Sequence, residues 1–354
     1  MPDETESSRP LSAPAQDKLS QWDDIPIVKR TADIAKYTLL VVVALFTLFI
    51  LRKKFKALGI TWEGVGEAIG NISPWSILFA VGITLANFAL LTGYDLIAVR
   101  YLRKQLPMRK VMMGAIIGYA LSNVLGWLIG GNAVRYRLYS RWGFSLVEFI
   151  AFISILSVTF WLGLFLLAGV AFVALPINLP PRFEEELPVS PQSLGWILLT
   201  LVTAYLLATL LVRKPIRWKG NQLYLPPFRL SLMQLLVSAG DFALASSVLY
   251  VLLPSGVRGL EEVNFWTILV AYLAAMIVVV SVHIPGGIGI LEVIVLYMMP
   301  DSAGLQVTAA LILFRIIYYF IPAIIAMLMF LAIEFSPVGK RDQAGPALPG
   351  VKVK

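Results

Sequence analysis

Asp95, Asp241, Glu292, Arg315 and the cluster Arg135, Arg137 and Arg141 are the residues whose types could do chemistry in this chain of 354 residues. Most of them lie in or beside long apolar runs. A charge at bilayer depth is expensive, so an ionisable residue there is a functional candidate that also demands a partner. Guanidinium forks match phosphate oxygens bidentately, and carboxylates can meet a cationic group or carry a proton. Other chemistries lose their footing. The chain has no cysteine and a single histidine, His283, which speaks against thiol catalysis, disulfides and His-rich metal or haem sites. No nucleophile–base set is recognisable, so no catalytic residue, metal or cofactor is assigned.

Each candidate carries a plainer rival. Arg135 and Arg137, with Tyr136 and Tyr139 interleaved, suit a phospholipid headgroup, but all three arginines also fit as basic anchors at a membrane edge. Arg141 suits the anchor best. Asp241 sits mid-run in SAGDFALASS, and Arg315 in LFRIIYYFIP is the only cation inside a run, so a purely structural Asp241–Arg315 pair competes with a working site. Asp95 lies towards one end of its run, where interfacial capping would explain it. Glu292 follows a Pro–Gly–Gly break, and a helix N-terminus favours negative charge on its own. Glu148 lies near an interface and ranks lower. His283 reads as hydrogen-bonded packing before it reads as a proton relay. Gly163 and Gly169 read as a close helix crossing.

The elements that must position these residues are helices in a membrane. The chain is 58% apolar and 14% charged, with apolar runs at about 34–51, 75–99, 111–129, 146–175, 193–212, 230–253, 265–299 and 307–333. Most are near the roughly 20 residues that a bilayer span needs. The seventh is not: as one helix its length would be about 52 Å, and Pro285, Gly286 and Gly287 divide it. The arm beyond the break would reach only about 20 Å, too short to cross. A hairpin that re-enters the membrane follows. If the third run is also a hairpin, with Gly130 and Gly131 near its turn, lysines and arginines divide 22 inside to 6 outside, against 16 to 12 for simple alternation. The two glycine breaks are then candidate gates or hinges. The expected fold is an all-α polytopic membrane protein with about six full transmembrane helices, two re-entrant hairpins and both termini cytoplasmic. Residues 1–33 and 336–354 read as polar disordered tails around a membrane domain, 34–335, with no soluble catalytic domain at either end.

Two helix–hairpin–helix units result, one from the second to fourth runs and one from the sixth to eighth. They begin on opposite sides, which is an inverted repeat, and interrupted segments at matching places in two halves point to a transporter site. The formal charge of +8 falls in short loops and reports topology and anionic lipid, with no nucleic-acid partner implied.

Five stretches in order, TGYDLIAVRYL (92–102), GGNAVRYRLYSRWG (130–143), SAGDFALASSVLYVLLP (238–254), PGGIGILE (285–292) and FRIIYYFIP (314–322), give the chain a resemblance. It resembles the flippase-type membrane domain of the lysylphosphatidylglycerol synthetase (multiple peptide resistance factor) family, in stand-alone form. The resemblance implies movement of a phospholipid, aminoacylated phosphatidylglycerol among the candidates, between leaflets of the bacterial inner membrane. It implies functional charge at Arg135, Asp241, Glu292 and Arg315. Its protein partners would be a separate lipid synthase or a second copy of the chain. Aminoacyl transfer does not carry over, because no acyltransferase-like region follows. A membrane enzyme acting on a lipid-linked intermediate and an ion-coupled small-solute transporter are the competing functions.

Overall fold

Proline and hydroxyl residues set the starts of the long helices. Pro74 and Pro191 occupy first-turn positions, where a missing N–H costs nothing, and the Ser190 side chain accepts the Ser193 N–H at 3.2 Å. The computed structural model describes residues 59–126, 131–174, 190–212, 216–218, 221–223, 225–254, 260, 263–282 and 285–335, with 49, 52–53 and 55–56. All of these belong to one unit, Thr47–Lys354. The helices are α1 (Trp62–Gly70), α2 (Pro74–Tyr101), α3 (Met108–Leu125), α4 (Ala133–Arg141), α5 (Leu146–Ala174), α6 (Pro191–Leu211), α7 (Phe228–Leu252), α8 (Phe265–Val282), α9 (Ile290–Met298), α10 (Gly304–Phe314) and α11 (Ile321–Phe335). A π-helical stretch, Arg315–Phe320, joins the last two.

The protein is an all-α, multi-pass membrane protein. Six helical stretches among the described residues are long and apolar enough to cross: α2, α5, α6, α7, α8 and Asp301–Phe335. This set differs from the expected one. The run at 34–51 lies almost wholly outside the described residues. In its place α8, the first arm of the divided seventh run, is long enough by itself at 18 residues. The break falls where expected. After Val282 the chain makes a short 3-10 turn at Pro285–Gly287 and begins α9 at Ile290.

Both interrupted runs fold back on themselves. Backbone approach records the first hairpin: a methyl added to Gly131 would sit 1.6 Å from the Ser122 hydroxyl, one on Gly118 would sit 2.4 Å from Nε of Arg135, and one on Gly114 would sit 2.8 Å from the Tyr139 ring. Each pair steps four residues in opposite directions, which is the register of antiparallel helices in contact. In the second hairpin α9 packs against α8, and Gly287 lies on Val279. The arms match: α3 and α8 have 18 residues each, and α4 and α9 have nine each. The second turn also meets the end of α3. Gly286, at φ +66°, lies so close to α3 that an added methyl would be 3.2 Å from the carbonyl oxygens of both Asn123 and Val124.

Two features depart from the expected pattern. Residues 52–74, read as a loop, contain α1, whose Thr61 hydroxyl caps the Gly64 N–H at 3.2 Å and which packs on α10. Two three-residue strands, Ile216–Trp218 and Asn221–Leu223, pair antiparallel between α6 and α7. The intervening Lys–Gly in the sequence favours such a tight reversal.

Helices α5 and α7 cross at Gly163, where an added methyl would lie 2.1 Å from the Ser238 hydroxyl and 2.5 Å from its backbone carbon. Backbone cannot step aside as a side chain can. Gly163→Ala should therefore cost about 1–3 kcal/mol, seen as a lower unfolding midpoint in detergent. Gly82→Ala, whose methyl meets nothing within 4 Å, is the control and should not lower it.

Candidate functional site

The first hairpin holds a guanidinium in the protein interior. Arg135 on α4 and Asp95 on α2 both have fully buried side chains, with Nη2 3.3 Å from Oδ1. Tyr139 donates its hydroxyl to the other Asp95 oxygen at 2.6 Å, and the Tyr119 ring lies 4.0 Å from the guanidinium carbon. Gly118 lets α3 come close enough to bury this side chain. Yet Nε and Nη1 of Arg135, the Ser122 hydroxyl and Oδ1 of Asn132 find no hydrogen-bond partner among the described residues. A buried donor without a partner costs about 1–3 kcal/mol. Two guanidinium nitrogens are thus left unpaired beside a bound carboxylate, enclosed by the protein with Nε packed on Gly118. Interfacial capping, the rival reading of Asp95, is overturned by its burial against Arg135.

The second hairpin carries the other cation. Arg315, at the start of the π-helical stretch, donates Nε to Oε1 of Glu292 at 2.6 Å and Nη2 to Oε2 at 3.1 Å. Its remaining donors reach the carbonyls of the turn itself, Gly286 through Nη1 and Gly287 through Nη2 at 3.0 Å. The Tyr319 ring lies 4.5 Å away. Glu292 also accepts the Gly289 N–H at 2.8 Å, so it starts α9 as expected and has a second task besides. The candidate Asp241–Arg315 pair is not formed: four of the five guanidinium N–H groups go to Glu292 and the turn.

Asp241 instead meets neutral groups. Asn87 donates its amide to Oδ1 at 2.9 Å and to the Asp241 backbone carbonyl at 2.9 Å, and Tyr318 donates to the Asn87 amide oxygen at 2.9 Å. Oδ2 lies 2.9 Å from the Tyr94 hydroxyl, which is in turn 2.9 Å from Ser238 Oγ.

The remaining candidates lie apart. Arg137 is exposed and reaches Glu334 of α11 with Nε at 3.1 Å. Arg141 meets the same carboxylate at 2.6 Å, and Tyr136 beside them is largely exposed. These residues tie α4 to α11 at the surface. Glu148 pairs with Lys104 at 2.7 Å and accepts the Ser145 N–H at 2.9 Å, which caps α5. Gly130 and His283 lie outside the described residues. Among the polar partners, Asn87 was visible as an amide inside an apolar run. Tyr139 stands out beside the arginines, whereas tyrosines 94, 119 and 318 do not, because an aromatic residue in an apolar run reads as core.

Comparison with known proteins agrees with this architecture. The chain matches the family described as "Lysylphosphatidylglycerol synthase TM region" over residues 35–326. It is 36% identical to an uncharacterised protein of Synechocystis over 74% of this chain and 80% of that one. It is 32% identical to the inner membrane protein YbhN of Escherichia coli over 78% and 85%. Phosphatidylglycerol lysyltransferase of Staphylococcus haemolyticus is 29% identical over 74% of this chain, but the match spans only 30% of that enzyme. This chain belongs to the lysylphosphatidylglycerol synthase transmembrane-region family.

Proposed function

We propose that the protein moves a phospholipid between the leaflets of the bacterial inner membrane, with the headgroup phosphate engaging Arg135. The observation that carries this reading is the buried guanidinium with two nitrogens, Nε and Nη1, unpaired among the described residues. Charge-assisted donors held in a low-dielectric site, unspent on the protein itself, suit phosphate oxygens. The headgroup would exchange with Asp95 on Arg135, and the site would replace part of the hydration that a polar headgroup loses in hydrocarbon. The two hairpins act as re-entrant gates around it, the second turn lying against the end of α3. A cationic group on the headgroup, such as an aminoacyl ammonium, would be met at Glu292 by exchange with Arg315.

The relatives named as phosphatidylglycerol lysyltransferases support an anionic glycerophospholipid as the substrate class. They share with this chain about a third of their length or less, so the reading assigns no bond-making step here. The test is leaflet exchange of fluorescent phosphatidylglycerol in vesicles containing the purified protein. Exchange well above that of protein-free vesicles is expected, and equal rates would reject the reading.

A further inference from the structure

Asp241 differs from Asp95 and Glu292 in one respect that the lipid site does not use. Its carboxyl faces no arginine or lysine. The titratable groups turned towards it are tyrosines: Tyr94 of α2, Tyr119 of α3, Tyr272 of α8, and Tyr318 and Tyr319 of the π-helical stretch. An ionised carboxylate without a cationic partner is costly to bury, and such a group tends to neutralise instead.

Counting hydrogens leads to the same place. Three contacts run in series: Asp241 Oδ2 to Tyr94 hydroxyl at 2.9 Å, Tyr94 hydroxyl to Ser238 Oγ at 2.9 Å, and Ser238 Oγ to the Phe160 carbonyl at 3.2 Å. Filling all three at once needs three hydrogens. Tyr94 and Ser238 own one each, and a carbonyl owns none. Only a proton on Asp241 supplies the third. With it the chain is complete in one direction, from Asp241 to Tyr94 to Ser238 to the Phe160 carbonyl. Without it Tyr94 turns to donate to Asp241, and one contact further along is left empty. The other oxygen cannot take this role. The Asn87 amide nitrogen is held by the Asp241 backbone carbonyl, which only accepts, so it always donates to Oδ1.

The set is placed to be read. Asp241 is buried, at 8% exposure slightly less enclosed than Asn87 and Ser238 at 0%. Tyr94 packs against Tyr119 at 5.5 Å between ring centres, and Tyr119 lies on Arg135. Tyr94 also precedes Asp95 in the chain. One residue of α2 therefore touches the proton-bearing group while the next holds the arginine of the lipid site.

We infer that Asp241 is a proton-binding site, taking a solvent proton on Oδ2 and releasing it, and that this exchange drives or biases lipid movement through Tyr94 and the Arg135–Asp95 pair. The O–H bond on Asp241 forms as the proton arrives from water and breaks as it leaves to water, with no other reactant. The proton site stands on its own geometry; the coupling rests on the proposed translocase reading.

Two readouts on the full-length protein in vesicles keep these apart. In infrared difference spectra taken across the neutral pH range, a carboxylic-acid carbonyl band should appear on acidification and be lost in Asp241→Asn. Tyr94→Phe should move the band, since the acid loses its hydroxyl partner; this variant decides the matter if Asp241→Asn does not fold. Absence of a titrating band in the wild type, or an unchanged band in both variants, overturns the proton site whether or not lipid moves. The second readout is leaflet exchange of fluorescent phosphatidylglycerol under an imposed pH gradient. One unit of gradient is worth a factor of about 10 per proton, so the leaflet ratio should shift towards that factor and reverse with the gradient. Asp241→Asn should exchange lipid without that bias. A bias that follows a sodium gradient, or that persists in Asp241→Asn, overturns the coupling.

Discussion

Replacing Arg135 alone should destabilise the protein by about 3–5 kcal/mol, whereas replacing it together with Asp95 should restore most of that loss. Arg135→Gln leaves a carboxylate in the interior with only the Tyr139 hydroxyl donating to it. Asp95→Asn combined with Arg135→Gln removes both charges and leaves two amides able to bond each other. Unfolding midpoints in detergent would read the difference. Leaflet exchange should behave otherwise: the double variant, although folded, should fall to the rate of protein-free vesicles, because no guanidinium remains for the phosphate. Recovery of transport along with stability would show that the pair is only structural. Arg137→Ala should change neither readout much, since its exposed pair with Glu334 is screened by solvent.

Arg315→Lys should lower transport roughly 10- to 150-fold even though the charge is kept, the equivalent of losing one charge-assisted hydrogen bond of about 1.5–3 kcal/mol. The guanidinium spans four acceptors: both oxygens of Glu292 and the carbonyls of Gly286 and Gly287. An ammonium is a compact point charge and cannot reach that planar set. The turn would lose its tie to the π-helical stretch, while Glu292 kept a counter-charge. Glu292→Gln tests the complementary half, because the Gly289 cap can still be accepted by the amide oxygen. Its larger effect should fall on lipids with a cationic headgroup and its smaller effect on phosphatidylglycerol. Equal transport by wild type and Arg315→Lys would remove the second turn from the account.

The break in the seventh run was legible because proline and glycine are one-dimensional signals: Pro285–Gly287 is where the helix ends. The first turn was harder to locate, since Asn123, Gly126, Gly130 and Gly131 all offer bends; α3 ends at Gly126 with φ +86°. Ion-pair partners were not legible. Asp241 and Arg315 were matched because both are deep in apolar runs, but depth says nothing of which helix faces turn together. Arg315 lies on the turn of the second hairpin, so the nearby Glu292 takes it, and Asp241 is left to Asn87 and Tyr94. Asp95 and Arg135 are 40 residues apart, and only the antiparallel register of α3 and α4 on α2 joins them. Tyrosine hydroxyls escaped notice for a related reason. In a chain with 13 tyrosines among long apolar runs, the ring accounts for each of them until a hydroxyl is seen to bond.

The claim on which the rest depends is that a phosphate takes the unpaired nitrogens of Arg135. A structure of the protein in nanodiscs containing phosphatidylglycerol tests it most directly. The account predicts headgroup density between the hairpins, with phosphate oxygens about 2.7–2.9 Å from Nε and Nη1 of Arg135 and with Asp95 displaced from its present contact. Lipid ordered only on the outer faces, with the Arg135–Asp95 pair closed and its nitrogens bound to water or protein, would contradict it.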